Sequence, residues 1–112
     1  MILGIWVANA NPAAAHQTEA GFRAAVVELA EALGWLVYYV PDSRRCAPGY
    51  PDLSLLHPGQ GRFLVAELKR ERGRVTPEQR EWLEGLRRAG VAAYLWRPSD
   101  WPQIERVLKG EG

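Results

Sequence analysis

Asp52, Glu67 and Lys69 are the residues whose types and spacing could do chemistry in this 112-residue chain. Pro51-Asp52 is followed by fourteen residues and then by Glu67-Leu68-Lys69. Alternate side chains of a β-strand share a face. Glu67 and Lys69 therefore point the same way as Phe63 and Val65, and Leu64, Ala66 and Leu68 point the other way. A carboxylate and an amine that continue an apolar alternation on a buried strand are costly unless they pair, bind a metal or act on something. If Asp52 opens the partner strand, its carboxylate lies beside Glu67, and two carboxylates that close repel unless a cation separates them. Oxygen donors of this kind suit Mg²⁺ or Mn²⁺, which keep waters for a phosphate to displace. The bland alternative is a Glu67–Lys69 ion pair at a strand end, with Asp52 only starting a strand. Spacing alone leaves both readings open.

The elements that must position these residues follow from periodicity. From Thr18 to Leu33, Phe22, Val26, Leu29, Ala30 and Leu33 keep helical spacing, and Gly34 suits the C-terminal cap. Trp35 to Val40 is an apolar, aromatic and β-branched run that predicts a buried strand. A loop runs from Pro41 through Pro51. Leu53–Leu56 and Phe63–Lys69 are predicted strands, joined as an antiparallel hairpin by the turn residues His57-Pro58-Gly59-Gln60-Gly61. Thr76, Pro77 and Gln79 have the spacing of a capping box with proline at the first helical position. Trp82, Leu83 and Leu86 form the apolar face of that helix. Val91–Trp96 is a strand, and Asp100 caps a last helix with Trp101, Ile104 and Leu108 on one side. The order is α-β-β-β-α-β-α in one domain over residues 18–112, after a leader of residues 1–17 that reads as flexible or as a short strand.

Two polar residues sit where apolar ones belong. Glu19 falls three before Phe22 and seven before Val26, on the stripe that faces the core. Gln79 stands in the same relation to Trp82 and Leu86. Each has a modest explanation, an acidic first turn for Glu19 and the capping box for Gln79. Together with a buried carboxylate pair they favour one shared site.

Charge and composition bound the function classes. The net charge of +1 argues against a protein that merely coats nucleic acid, but its distribution is uneven. Residues 1–41 sum to −2, residues 42–80 to +3 and residues 81–112 to zero. The positive excess lies around Arg44 and Arg45 and in the run Lys69, Arg70, Arg72, Arg74, as phosphate contact requires, although solvated arginine loops are common. One cysteine, Cys46, permits no internal disulfide and no zinc cluster. The apolar stretch Ile2–Ala8 is too short to span a bilayer and has no basic region before it. The expectation is a cytoplasmic protein without membrane association.

Taken in order, Thr18-Glu19, Asp42-Ser43-Arg44-Arg45, Gly49-Tyr50-Pro51-Asp52-Leu53, Ala66-Glu67-Leu68-Lys69, Gly73-Arg74, Pro77-Glu78-Gln79 with Trp82-Leu83, and Trp96-Arg97-Pro98 resemble the VRR-NUC family of the PD-(D/E)XK nuclease superfamily. The resemblance covers roughly Thr18 to Leu108. It implies an α/β, restriction-endonuclease-like core, a mixed sheet flanked by helices with the site at one end of the hairpin. It implies Asp52 and Glu67 as ligands of Mg²⁺ or Mn²⁺, joined by the main-chain carbonyl of Leu68. Lys69 would orient or deprotonate the attacking water, Glu19 would support metal or water, and Gln79 would stand beside the site.

Stand-alone members of this size look like phage or bacterial structure-selective DNA nucleases, some paired on four-way junctions, whereas members fused into repair proteins cut flaps. The expectation is a bacterial or phage-encoded intracellular endonuclease, a homodimer resembling Holliday-junction resolvases, with Arg44, Arg45, Arg70, Arg72 and Arg74 on flanking phosphates. The alternatives are a flap or general DNA nuclease of the same family, a non-cleaving DNA-binding module, or a structural subunit assembled through exposed Trp35 and Trp101. Two positions depart from the family pattern. Cys46 stands where a serine is expected, and Tyr39-Val40 where Tyr-His is common. Both bear on substrate contacts rather than on the metal ligands.

Overall fold

The computed structural model describes residues 18–40 and 47–111. The leader, Asp42, Ser43, Arg44, Arg45 and Cys46 lie outside the described residues. Helix α1 (Glu19–Ala32) begins where the Thr18 hydroxyl accepts from the Gly21 amide at 2.9 Å. Strands β1 (Leu36–Tyr38), β2 (Leu53–His57) and β3 (Arg62–Leu68) follow, then α2 (Pro77–Arg88), β4 (Ala92–Trp96) and α3 (Trp101–Lys109). A single 3-10 turn, Pro98–Asp100, precedes α3. The order is the expected α-β-β-β-α-β-α, and the sheet is mixed.

The strands stand in the order β1-β2-β3-β4, antiparallel through β3 and parallel between β3 and β4. The parallel pair needs a crossover, and α2 supplies it. Leu64, Ala66 and Leu68 face the main core, with Phe22, Val26 and Leu29 of α1 and Ile104 and Leu108 of α3. Val65 faces the other side and packs with Leu83 of α2 and Ala93 of β4. The alternation read from β3 thus sorts the two layers, α1 and α3 on one face and α2 on the other. Among the described residues no helix is long and apolar enough to cross a membrane.

Four expectations need correction. The run Trp35–Val40 forms only the three-residue edge strand β1, with Leu36 and Tyr38 exposed. α2 packs over β3 and β4 and does not extend over Leu36 and Tyr38. Trp35 and Trp101 are buried, 2% and 8% exposed, so neither offers an assembly surface. The Trp35 indole instead donates to the Leu108 carbonyl at the end of α3, at 2.9 Å. Asp100 precedes α3 but makes no side-chain cap bond. Its Oδ2 accepts from the Arg97 amide at 2.8 Å, which closes the 3-10 turn. Glu19 shares a stripe with buried Phe22 and Val26 but is itself exposed at the first residue of α1.

Candidate active site

The register of the central hairpin pairs Leu53 with Ala66, so Asp52 stands one step further, opposite Glu67. Both side chains lie on the α2 face of the sheet, at its open end. Asp52 is held there by Leu68, whose amide donates to Asp52 Oδ2 at 2.8 Å. Lys69 continues β3 past its last paired residue through its amide, which donates to the Trp96 carbonyl at 3.0 Å. Its Nζ lies 3.8 Å from Glu67 Oε2.

Glu67 is 2% exposed, the one charged side chain among the buried described residues. Its two oxygens have different surroundings. Oε2 accepts from Gln79 Nε2 at 2.9 Å and faces Lys69. Oε1 is buried with no hydrogen-bond partner. Gln79 does both things its position suggests. Its backbone amide donates to the Thr76 hydroxyl at 3.1 Å, its Oε1 accepts from the Thr76 amide at 2.9 Å, and its Nε2 remains for Glu67. The capping box fixes the glutamine amide, and the amide fixes Glu67.

Burial pushes the Glu67 carboxyl up from the usual 4.5 to about 8, with the charge of Asp52 acting the same way. Lys69 pulls against this, while a hydrogen bond to Asp52, made by the protonated acid, and the charge of Glu19 add to the rise. Glu19 therefore reaches the site electrostatically from its exposed position. The metal-free folded chain keeps the Glu67 proton between pH 4.5 and about 8, where the unfolded chain has lost it. This contribution to stability is full below the unfolded value and is lost as pH rises through the folded one. With chelator present, the melting temperature of the wild type is expected to fall across this window more steeply than that of Glu67→Gln, which carries no titrating carboxyl. Parallel profiles from thermal denaturation would refute the assignment.

The rest of the site is scaffolding. Trp82, expected on the apolar face of α2, is 36% exposed. Its indole donates to the Pro48 carbonyl at 3.1 Å and meets Tyr50 edge-on, with ring centroids 5.1 Å apart. It pins the loop that delivers Asp52 rather than filling the core. Gly49, at φ +91°, lies so close to the start of α2 that an added Cβ would stand 2.5 Å from the Glu78 carbonyl carbon.

Arg70, Arg72 and Arg74 are exposed on the loop after β3. Arg97 holds that loop, since its Nη1 donates to the carbonyls of Arg70, Glu71 and Gly73 at 2.8, 3.1 and 2.8 Å. Glu71 in turn accepts from the amide and hydroxyl of Ser99 at 2.9 and 2.7 Å. Sequence reasoning gave Arg97 no role beyond a place in a motif. Arg97→Ala is expected to speed amide exchange at Gly73 and Ser99 about tenfold or more, the loss of at least one charge-assisted bond of about 1.5 kcal/mol. Exchange in β3 should be unchanged, and uniform acceleration would mean general destabilisation instead.

The donors fit a hard divalent cation. Two carboxylates converge, one with a buried oxygen that no donor reaches, and hard oxygen ligands are what Mg²⁺ and Mn²⁺ prefer. Among the described residues no group of three or more His, Cys, Asp or Glu could hold a metal. A cation here would draw two side chains and otherwise main-chain oxygen and water, a ligand set suited to Mg²⁺.

A family model described as the VRR-NUC domain matches residues 11–99. No curated protein and no solved structure matches the chain.

Proposed function

The chain belongs to the VRR-NUC family of the PD-(D/E)XK nuclease superfamily, and from that premise we propose that it is a divalent-metal-dependent DNA endonuclease acting on branched DNA. The observation that carries the reading is the buried, unpartnered Oε1 of Glu67 on the sheet face it shares with Asp52. Asp52, Glu67 and the main-chain carbonyl of Leu68 are the proposed ligands of Mg²⁺ or Mn²⁺, with Glu19 supporting them from the first turn of α1. When bound, the ion would acidify a water and offset charge on the phosphate oxygens.

The chain's own residues supply the rest. The Leu68 amide and the Gln79 side chain each hold one oxygen of a carboxylate pair, so the pair is oriented before substrate arrives. Lys69, a compact cation beside Glu67, orients the attacking water or neutralises charge developing on the phosphate. Arg70, Arg72 and Arg74, on the loop that Arg97 steadies, contact flanking phosphates, and Arg44 and Arg45 are proposed to do the same. Binding should then weaken steeply with salt.

A four-way junction is the favoured substrate, cut by a homodimer. Support comes from one cross-strand row, Leu36, Leu56 and Phe63 of β1, β2 and β3, left 59%, 43% and 48% exposed. A contiguous apolar row marks an interaction surface, and a two-fold partner would bring a second site to a symmetric substrate. The test compares cleavage of a four-way junction, a 5′ flap, single-stranded and linear duplex DNA under Mg²⁺ and Mn²⁺, with sedimentation of the same samples. Junction cutting by a dimer is expected. A monomer that prefers flaps would overturn the junction reading, and DNA binding without cleavage would leave a non-cutting module.

A further inference from the structure

Beside the carboxylate pair lies a cavity of about 140 Å³, open to solvent, with Tyr38, Tyr50, Pro51, Ser54, Asp52 and Gln79 in its wall. The sheet register explains why these residues meet. Tyr38 pairs with Ser54, and Ser54 pairs with Val65, in the row next to the one that holds Asp52 and Glu67. Tyr38 and Ser54 lie on the same sheet face as Asp52 and Glu67, on the β1–β2 side of α2. The cavity is thus continuous with the site: Asp52 and Gln79 line it on one side, and tyrosine rings form much of the rest.

The rings do not serve the core. Tyr38 is 66% exposed and Tyr50 is 41% exposed. Tyr50 is nonetheless held in place, edge-on to Trp82, with its hydroxyl 3.5 Å from Ser54 Oγ. A cleft with aromatic walls, one of them fixed against Trp82, and a hydroxyl rim suits a flat, weakly polar group with an edge that forms hydrogen bonds. Among the described residues that line it, the charged group is the carboxylate of Asp52, which does not suit a phosphate.

We infer that this cavity binds an unpaired nucleobase next to the scissile phosphate, stacked on Tyr38 and bounded by Tyr50. The inference rests on the nuclease reading and narrows its substrate to DNA with an unstacked nucleotide beside the cut. A base inside a continuous duplex is stacked on both faces and has no face to give, whereas a base at a branch point, bulge or end does. Aromatic stacking tolerates any base sequence and strengthens binding severalfold to about a hundredfold per base. The preference would therefore be for shape and not for sequence.

The test uses the full chain and two duplexes of the same sequence, one with a single unpaired 2-aminopurine and one with it paired. Binding is followed with chelator present by the 2-aminopurine fluorescence, which stacking quenches. The wild type is expected to quench the unpaired probe and to bind that duplex more tightly. Tyr38→Ala should relieve the quench and reduce the preference for the unpaired duplex about tenfold. Tyr38→Phe should retain both, because stacking needs the ring and not the hydroxyl. Equal weakening of both duplexes by Tyr38→Ala, loss in Tyr38→Phe as large as in Tyr38→Ala, or an unquenched probe with the wild type would each overturn the inference. Cleavage of the same duplexes under Mg²⁺ and Mn²⁺ separates the two claims. A wild type that cuts but does not quench defeats the base pocket alone, and one that quenches but cuts nothing defeats the nuclease reading while the pocket stands.

Discussion

Glu67→Gln is expected to lower cleavage by more than about 1000-fold, over ~4 kcal/mol of lost transition-state stabilisation, and to leave the fold intact. The reason lies in the split surroundings of the carboxylate. The oxygen that Gln79 holds at 2.9 Å can be replaced by an amide oxygen with the same bond. The other atom becomes an NH₂ directed at the place where Oε1 is buried without a donor. There it resembles the protonated acid, donating towards Asp52 in the manner that raises the carboxyl pKa. The variant is therefore well accommodated without metal and badly suited to a cation. Glu67→Ala should also be inactive, but it leaves a hole and an unsatisfied Gln79, so the glutamine variant separates chemistry from folding. Full cleavage by either variant under Mn²⁺ would remove Glu67 from the mechanism.

Gly49→Ala is expected to cost about 100-fold in cleavage although Gly49 carries no chemistry. Its φ of +91° lies in the region that residues with a Cβ rarely adopt, and its added carbon would meet the Glu78 carbonyl at 2.5 and 2.6 Å and the Gln79 amide at 2.8 Å. These are backbone atoms of the first turn of α2, which cannot swing aside as a side-chain tip can. Either the loop lifts or the helix start retreats. The loop carries Tyr50, Pro51 and Asp52, and the helix start carries the capping box that aims Gln79 at Glu67. Both movements misalign the carboxylate pair, and a displacement of about 1 Å can cost 100-fold. Strain alone should lower stability by about 1 to 3 kcal/mol. Gly85, on α2 with nothing within 4 Å of its missing Cβ, is the control. Gly85→Ala should leave cleavage unchanged and stabilise by up to ~1 kcal/mol. Equal behaviour of the two variants in melting and cleavage assays would contradict the close-approach argument.

What could be read from the sequence was whatever depends on short-range periodicity. The two-residue period of β3 correctly separates Leu64, Ala66 and Leu68 from Val65 and Glu67, and so decides which layer faces the carboxylate. Thr76, Pro77 and Gln79 announce a helix start by local hydrogen-bond chemistry, and the capping box is there. Tertiary cover was not legible. Trp82 has the spacing of a core residue, but the loop with Pro48 and Tyr50 lies beside it instead of the sheet. Tyr38 sits in an apolar run, yet its strand is at the edge and α2 stops short of it. Glu19 shows the limit of the helical stripe, which is exposed at its first residue and buried from Phe22 to Ala30. The role of Arg97 depends on three carbonyls more than twenty residues away, which no local pattern signals.

The central claim is that Asp52 and Glu67 jointly hold a divalent cation, and calorimetric titration of Mn²⁺ into the full chain and its Glu67→Gln variant tests it most directly. The account predicts saturable binding by the wild type, and binding at least about tenfold weaker, or none, in the variant. Equal binding by the two proteins, or no binding by the wild type, would contradict it.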